Sequence, residues 1–330
     1  MVKLVIHKNE AEQRLDKFLL KYLDRAGTSF LYKMLRKKNI ILNGKKAEGS
    51  ERLAEGDEVT LFLSEETLTK FRSGKQSVPA AAKPTGITLD IVYEDEDILL
   101  INKPAGLLSQ KAAAEDVSLN DAVVEHVLRG QEKQERRDAF TPSVCNRLDR
   151  NTSGLVTAGK TLAGLQFLSE CFRKRTVGKY YLALVAGEMK EDLHLVNYLV
   201  KDEAKNQVTV YRSPRLGASR VETEVHPVGG NAALTLVKLK LLTGKTHQLR
   251  AVLADLGHPV MGDPKYGNKT LSGWLRDWSP YRYQLLHAWK LEFPELEGRF
   301  SRLSGKSFTA PLPAAFAAVL DKLELEVPNG

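Results

Sequence analysis

The irregular alternation of strand-like and helix-like segments after about residue 89 constrains the fold of this 330-residue chain more than any other feature. Short apolar runs predict strands at residues 155–160, 180–187, 220–228, 233–242 and 285–293. Helical spacing of apolar residues predicts helices at residues 119–128, 161–175 and 246–256. Because helices occur only occasionally between the strands, we predict an α+β fold with a mixed, mostly antiparallel sheet, and not a repeating βα unit.

A small α+β unit is predicted at residues 1–64. Apolar residues recur at helical spacing between residues 15 and 23, and FLYKMLRKKN continues as a second helix. The pair Asn43-Gly44 is a strong signal for a two-residue turn between strands. Basic residues without an acidic neighbour follow one another here: Lys33, Arg36, Lys37, Lys38, Lys45 and Lys46. This one-signed surface is expected to contact a polyanion.

Residues 65–88 are rich in Ser, Gly, Pro, Ala and Lys, which predicts a linker to a second domain at residues 89–330. The net charge of +8 also favours a polyanionic partner such as RNA, DNA or an anionic membrane. Since every apolar run is far shorter than the ~20 residues of a membrane-spanning helix, we expect no membrane partner. The charged N-terminus does not read as a signal peptide, and two cysteines suit a reducing compartment, so we expect a cytoplasmic protein.

Polar and charged residues crowd into the segment NRLDRNTSGL, between two apolar stretches. Asp149 stands between Arg147 and Arg150 and is expected to stay ionised, which suits a nucleophile or an electrostatic stabiliser better than a general acid. In an extended segment, Arg147 and Asp149 point to the same face. From the residues alone, a carboxylate that only cross-links a loop is an equally good interpretation.

The sequence resembles two families in its two predicted domains. Residues 12–64, with QRLDKFL, the basic second helix, the ILNGK turn and the DEVTL strand, resemble the S4-type RNA-binding domain. Residues 90–316 resemble the RluA family of pseudouridine synthases, through RLDRNTSGL, NKPAGLLS, KYYLALVAG and GKTHQLRAVLADLGHPVMGDPKYG in the family's order. One position departs, because Asn146 stands where the family commonly has His; an amide could still form a positioning hydrogen bond.

The resemblance implies roles for particular residues. Asp149 corresponds to the essential aspartate, which attacks or stabilises the uridine while its N1-glycosidic bond breaks. Tyr181 corresponds to a tyrosine beside the target base and is the expected base for C5 deprotonation, whereas Tyr180 should point to the other face of the strand. Arg250 is expected to pair with Asp149 from a helix capped by Thr246, outside the apolar stripe of that helix. Arg147 is expected to help extrude the nucleotide.

The expected function is the isomerisation of uridine to pseudouridine in structured RNA, without metal or cofactor and by a monomer. Large-subunit ribosomal RNA is favoured as substrate, and transfer RNA is the alternative. A non-catalytic RNA-binding or assembly factor is a second alternative, but such a protein has no reason to retain Asp149, Tyr181 and Arg250 together. A third is a nucleotide-binding P-loop, since Gly154 to Lys160 reads G-x-x-x-x-G-K; its apolar interior argues against it. The histidines lack metal-ligand spacing.

Overall fold

The computed structural model describes residues 1–7, 10–72, 84–129, 140–267 and 282–328. Residues 2–71 form a four-stranded sheet with its own hydrophobic core and three helices. The strands are β1 (Val2–Val5), β2 (Ile40–Leu42), β3 (Lys45–Lys46) and β4 (Glu58–Leu61), in the order β1-β4-β2-β3. The helices are α1 (Leu15–Tyr22), α2 (Thr28–Arg36) and α3 (Glu65–Phe71).

The N-terminal helices and turn agree with the sequence prediction. The predicted linker, residues 65–88, is structured at both of its ends. Asn43 and Gly44 both have a positive φ, of 49° and 72°, as the two-residue hairpin turn requires. The segment 65–71, predicted as linker, is helix α3, because Ser64 caps it and Leu68 buries in the N-terminal core. At the other end Thr85 donates two hydrogen bonds to Glu125. The middle of the predicted linker, 73–83, lies outside the described residues.

The rest of the described chain builds an eleven-stranded sheet, ordered β11-β10-β12-β13-β9-β14-β8-β6-β5, with β15 beside β14 and β7 beside β8. The strands are β5 (Ile91–Glu94), β6 (Ile98–Lys103), β7 (Ser143–Val144), β8 (Ser153–Gly159), β9 (Gly178–Ala186), β10 (Leu193–Asp202), β11 (Gln207–Tyr211), β12 (Ser219–Gly230), β13 (Leu234–Leu241), β14 (Leu286–Glu292) and β15 (Ser307–Thr309). The β14–β8 pair is parallel and the other pairs are antiparallel, so the predicted mixed sheet is confirmed.

Helices cover both faces of this sheet: α4 (Leu119–Arg129), α5 (Leu162–Lys174), α6 (Gln248–Asp255) and α7 (Ala314–Lys322), with a 3₁₀ helix at Gly298–Leu303. The central strand β9 shows the two-residue alternation of a doubly covered sheet. Tyr181 and Ala183 pack in the core under α4 and α6, whereas Leu182 and Leu184 pack in the core under α7. The cleft described below opens on the α4 and α6 face.

One predicted helix start is wrong. Helix α6 begins at Gln248, and its N-cap is His247, in a left-handed conformation and without a side-chain cap bond; Thr246 does not cap it. The α5 cap follows the expected rule, since Thr161 accepts a hydrogen bond from the Gly164 backbone N–H. The first residues of α6, Gln248 to Arg250, line the cleft described below.

Candidate active site

Asp149 sits at the start of a tight turn that leads into strand β8. Its carbonyl oxygen accepts a hydrogen bond from the Thr152 N–H at 3.1 Å. Leu148, one residue earlier, is buried in the core and exchanges hydrogen bonds with Ser109 through its backbone N–H and C=O. Arg147 and Asp149 line the same cleft, as their spacing predicted, and the buried Leu148 between them also borders it.

The packing of β8 against β14 explains why the motif TSGL has glycine at position 154. The φ of Gly154 is +110°, and a Cβ there would lie 2.2 Å from the backbone oxygen of Ala288 on strand β14. Only glycine permits this close parallel approach of β14 to β8. The approach holds β14 beside the strand that carries the Asp149 turn.

Arg250 pairs with Asp149, as predicted from the resemblance. Its Nη1 donates to Asp149 Oδ2 at 2.7 Å. The flanking residues Arg147 and Arg150 have no ion pair with Asp149 in the described part of the chain. Arg250 lies outside the apolar stripe of α6, as predicted, yet it is only 5 % exposed. Its burial is possible because its charge is compensated on two sides.

Asp263 is the second partner of Arg250, and the sequence reasoning gave it no role. Arg250 Nε and Nη2 donate to its two carboxylate oxygens at 2.6 and 2.9 Å, a bidentate pair. The backbone N–H groups of Lys265 and Tyr266 donate to Asp263 at 2.8 and 3.0 Å. Burial opposes ionisation of Asp263, but the hydrogen bonds and charge of Arg250 lower its pKa. Asp263 therefore fixes the guanidinium that holds Asp149.

His247 and Tyr266 complete this wall of the cleft. His247 Nδ1 and Tyr266 Oη are 3.0 Å apart, and Tyr266 Oη also accepts a hydrogen bond from the Val208 N–H. His247 Nε2 lies 3.9 Å from Asp149 Oδ2. Burial lowers the pKa of His247, so the neutral imidazole predominates at pH 7. A non-glycine residue with φ of 54° beside the catalytic candidate marks a locally strained site.

Tyr181 lines the same cleft as Asp149, from the middle of strand β9. Burial, together with the negative charge of Asp149, raises the pKa of its hydroxyl. Tyr180 points to the opposite face, where its hydroxyl donates to Glu292 at 2.7 Å. The predicted division of roles between the two tyrosines thus matches their positions.

Lys103 holds the turn that follows Asp149 through hydrogen bonds to backbone carbonyls. It belongs to NKPAGLLS and is fully buried, and its Nζ donates to the carbonyl oxygens of Pro104, Leu107 and Arg150 at 2.8 to 3.0 Å. Three acceptors satisfy the three protons of an ammonium group. Burial lowers its pKa to about 7, against the raising effect of Asp149. Lys103 ties NKPAGLLS to the backbone next to Asp149. Its place within a recognised motif, like that of Asp263 in GHPVMGD, was the available sequence signal.

Asn146 forms the positioning hydrogen bonds that an amide was expected to allow. Its Oδ1 accepts hydrogen bonds from the N–H and the Oγ1 hydroxyl of Thr157, and its Nδ2 donates to Leu155 O. Asn146 therefore fastens the segment before Asp149 to β8.

The P-loop interpretation does not fit the structure, because residues 154–159 are β-strand and their backbone pairs with β6. Lys160, its lysine, binds Glu94 instead.

The predicted N-terminal RNA-contacting residues share one feature, which is exposure to solvent. They are Lys33 and Arg36 on α2, Lys37 and Lys38 directly after it, and Lys45 on strand β3. None of them has an ion pair within the described ranges, so their charges are available to a ligand. They lie in the N-terminal sheet unit and not in the wall of the cleft around Asp149.

A search of the described residues for groups of three or more His, Cys, Asp or Glu side chains able to hold a metal ion found none. Among the helices of these same residues, no helix is long and apolar enough to cross a membrane. Among the described residues that line the cleft, Asp149 is the only one with a carboxylate, and several of the others are basic.

The chain is similar to known RNA pseudouridine synthases. The sequence model of the family described as RNA pseudouridylate synthase matches residues 97–255. An uncharacterized RNA pseudouridine synthase of Mycoplasma genitalium is 30% identical over 89% of this chain and 90% of its own length. The ribosomal large subunit pseudouridine synthase C of Vibrio cholerae is 31% identical over 96% of this chain and 95% of its own. The solved human RNA pseudouridylate synthase domain containing 4 superposes with a TM-score of 0.58 at 24% identity, covering 77% of this chain and 99% of that one, which shows a shared fold.

Proposed function

The chain belongs to the RNA pseudouridine synthase family, and from this premise we propose that it isomerises uridine in large-subunit ribosomal RNA with Asp149 as the catalytic carboxylate. The observation that carries the assignment of Asp149 is its ion pair with the buried Arg250, itself clamped by Asp263. The ribosomal substrate rests on relatives such as the Vibrio cholerae enzyme, whose name states that target.

The reaction breaks the bond between C1′ and N1 of uridine, rotates the base and joins C1′ to C5. The C5 proton leaves, and N1 gains one, so the atoms balance without a co-reactant. Arg250 orients Asp149 through the hydrogen bond at 2.7 Å. A carboxylate held in this way can attack or stabilise the uridine as the glycosidic bond breaks. Preorganisation of this kind lowers the barrier because no reorientation is needed during the reaction.

Tyr181 is proposed to contact the target base. Because its pKa is raised, the hydroxyl is protonated at pH 7, and a preformed phenolate does not act as the base. Removal of the C5 proton by Tyr181 therefore has to be concerted with transfer of its own proton, or Tyr181 packs against the base while another acceptor, such as Asp149, takes the proton. The ring is fixed in either case, since strand β9 carries it within the core.

Access to a stacked uridine requires that the nucleotide leaves the helix, which costs a few kcal/mol. We propose that Arg147, exposed at the mouth of the cleft beside Asp149, offsets part of this cost by occupying the vacated space. The basic N-terminal unit, residues 1–72 with α3 included, is proposed to add affinity through phosphate contacts of the S4 type. We further propose that the protein acts as a monomer in the cytoplasm.

Tritium release from RNA labelled at C5 of uridine tests the proposal, because isomerisation removes the hydrogen from C5. Purified protein is incubated with a large-subunit ribosomal RNA transcript and, separately, with bulk transfer RNA transcripts. We expect release from the ribosomal RNA that saturates at a small whole number of sites. Release from transfer RNA alone would move the substrate to that class, and release from neither would contradict the proposed function.

A further inference from the structure

Six basic side chains in the wall of the cleft have no ion pair within the described part of the chain. They are Arg147, Arg150, Arg175, Lys179, Lys245 and Lys265. The cleft also contains Lys201, whose charge is compensated by Glu203 at 2.6 Å, and Arg173, bound to Glu170 at 2.6 Å. The chain therefore neutralises some cationic side chains of this cleft and leaves others free.

Lys179 differs from the other five: four of them are exposed, and the ammonium group of Lys265 donates to the backbone carbonyls of Lys205 and Asn206. The Lys179 side chain is partly buried, and its Nζ lies close to Gly244, where an added Cβ would be 3.8 Å away. Since Gly244 has no side chain, nothing at that position covers the ammonium group. The charge of Arg175, which acts on it, is also positive.

We propose that Lys179 and Arg175 form a phosphate-binding subsite that holds a backbone phosphodiester of the flipped target nucleotide. This inference rests on the proposed function and adds to it the contact that fixes the sugar–phosphate end of the substrate. The base would lie against Tyr181 and the phosphate against Lys179, so that the reacting sugar is held from both sides beside Asp149.

The geometry of strand β9 supports this arrangement. Lys179 and Tyr181 are two residues apart on one strand, so their side chains project from the same face at a spacing of roughly 6.6 Å. A nucleotide spans a comparable length between its base and its own phosphate. A base seated on Tyr181 therefore brings one of its phosphates to Lys179 without any change in the protein backbone.

The charge of Lys179 also favours a bound anion. A partly buried cation beside a second cation and without a carboxylate is unfavourable, and a bound anion would compensate it. Burial, and next the charge of Arg175, lower the pKa of Lys179. A phosphate would remove both penalties. A lysine forms such a contact as a point charge, which tolerates any sequence at the neighbouring nucleotides.

The test measures how binding of decauridylate, a single-stranded RNA probe, depends on salt. We compare the wild-type protein with Lys179→Met, which keeps the apolar stem, and Lys179→Arg, which restores the charge. The matched control is Lys290→Met: Lys290 is a partly buried lysine of the neighbouring strand β14, paired with Glu292 and placed over the Tyr180 ring on the opposite face. Arg175→Gln alters an exposed residue and serves as a second variant if Lys179→Met folds poorly.

We expect Lys179→Met and Arg175→Gln each to reduce the slope of log affinity against log salt by about 0.7, the value for one phosphate contact on a single strand. Lys179→Arg and Lys290→Met should keep the wild-type slope. Equal slopes for wild type, Lys179→Met and Arg175→Gln, or a wild-type protein that does not bind decauridylate, would overturn the subsite.

The binding slopes and the tritium-release assay separate the two claims. If wild type, Lys179→Met and Arg175→Gln have equal salt slopes while the wild type still releases tritium from ribosomal RNA, the subsite alone is refuted. Reduced slopes for Lys179→Met and Arg175→Gln, together with a wild-type protein that releases no tritium, refute the proposed function alone. Under single-turnover conditions, Lys179→Met should raise the RNA concentration needed for half-maximal rate more than it lowers the maximal rate.

Discussion

Replacing Asp263 by Asn probes how the catalytic carboxylate is held. Asp263 is fully buried, and its two carboxylate oxygens accept from Nε and Nη2 of Arg250. Asn keeps the shape and one acceptor oxygen, but it removes the charge and presents an amide N–H group to a guanidinium. Breaking a buried ion pair costs about 3–5 kcal/mol, and the retained hydrogen bond places the expected loss in the free energy of unfolding near 3 kcal/mol.

The same substitution should slow catalysis in the folded fraction. Without its bidentate clamp, Arg250 can rotate away from Asp149, and a displacement of about 1 Å in a reacting group can cost about 100-fold in rate. We expect the single-turnover rate of pseudouridine formation to fall by ten- to 100-fold while RNA affinity stays near wild type. Urea unfolding and tritium release, measured on the same preparation, check both effects.

Asp97→Asn is the matched control. Asp97 is also fully buried and is held by Arg299 and Arg302, but it lies in a different network, with Thr161, away from the cleft. This variant should lose stability and keep its single-turnover rate. Asp263→Asn with a wild-type rate, or Asp97→Asn with an equally large loss of rate at full folding, would refute the role of Asp263 in positioning Arg250.

Three further predictions concern other parts of the molecule. Tyr181→Phe should keep RNA affinity and lose most single-turnover activity; an unchanged rate would exclude any part of the hydroxyl in proton transfer. Replacing Lys33, Arg36 and Lys37 by Gln should flatten the salt dependence of binding to structured RNA by up to about 0.9 per lost phosphate contact, with the rate at saturating RNA unchanged. Burial lowers the pKa of His287 to about 4, below its ordinary 6.5, so the unfolded state binds more protons between these values. Its contribution, up to about 3 kcal/mol, is complete above pH 6.5 and is lost as pH falls toward 4, and urea titrations of His287→Gln should show a shallower loss.

The buried parts of the fold could be predicted from the sequence because their apolar runs are continuous. Strands β8, β9, β12, β13 and β14 lie where those runs placed them. Strands β10 and β11, near the end of the sheet, were missed, since exposed residues alternate with buried ones in β10 and no apolar run forms. Helix α7 was missed because it follows the proline-rich FTAPLP, which reads as irregular chain.

The candidate site was predictable only in part. Resemblance identified Asp149, Tyr181 and Arg250, and the structure brings all three to one cleft. The partners of Arg250 could not be read from spacing, because Asp263 reaches it from the turn after α6 through a contact that no helical or strand periodicity describes. The position of His247 could not be predicted either, because it depends on a left-handed backbone conformation that L-residues rarely adopt.

The most direct test of the account is to map pseudouridines in large-subunit ribosomal RNA from cells that lack the gene. The same cells are complemented with the wild type or with Asp149→Asn, at equal protein levels. We predict that deletion removes pseudouridine from at least one position, that the wild type restores it and that Asp149→Asn does not, although this variant still binds RNA. Restoration by Asp149→Asn would contradict the central role of this carboxylate, and an unchanged map in the deletion strain would contradict the ribosomal substrate.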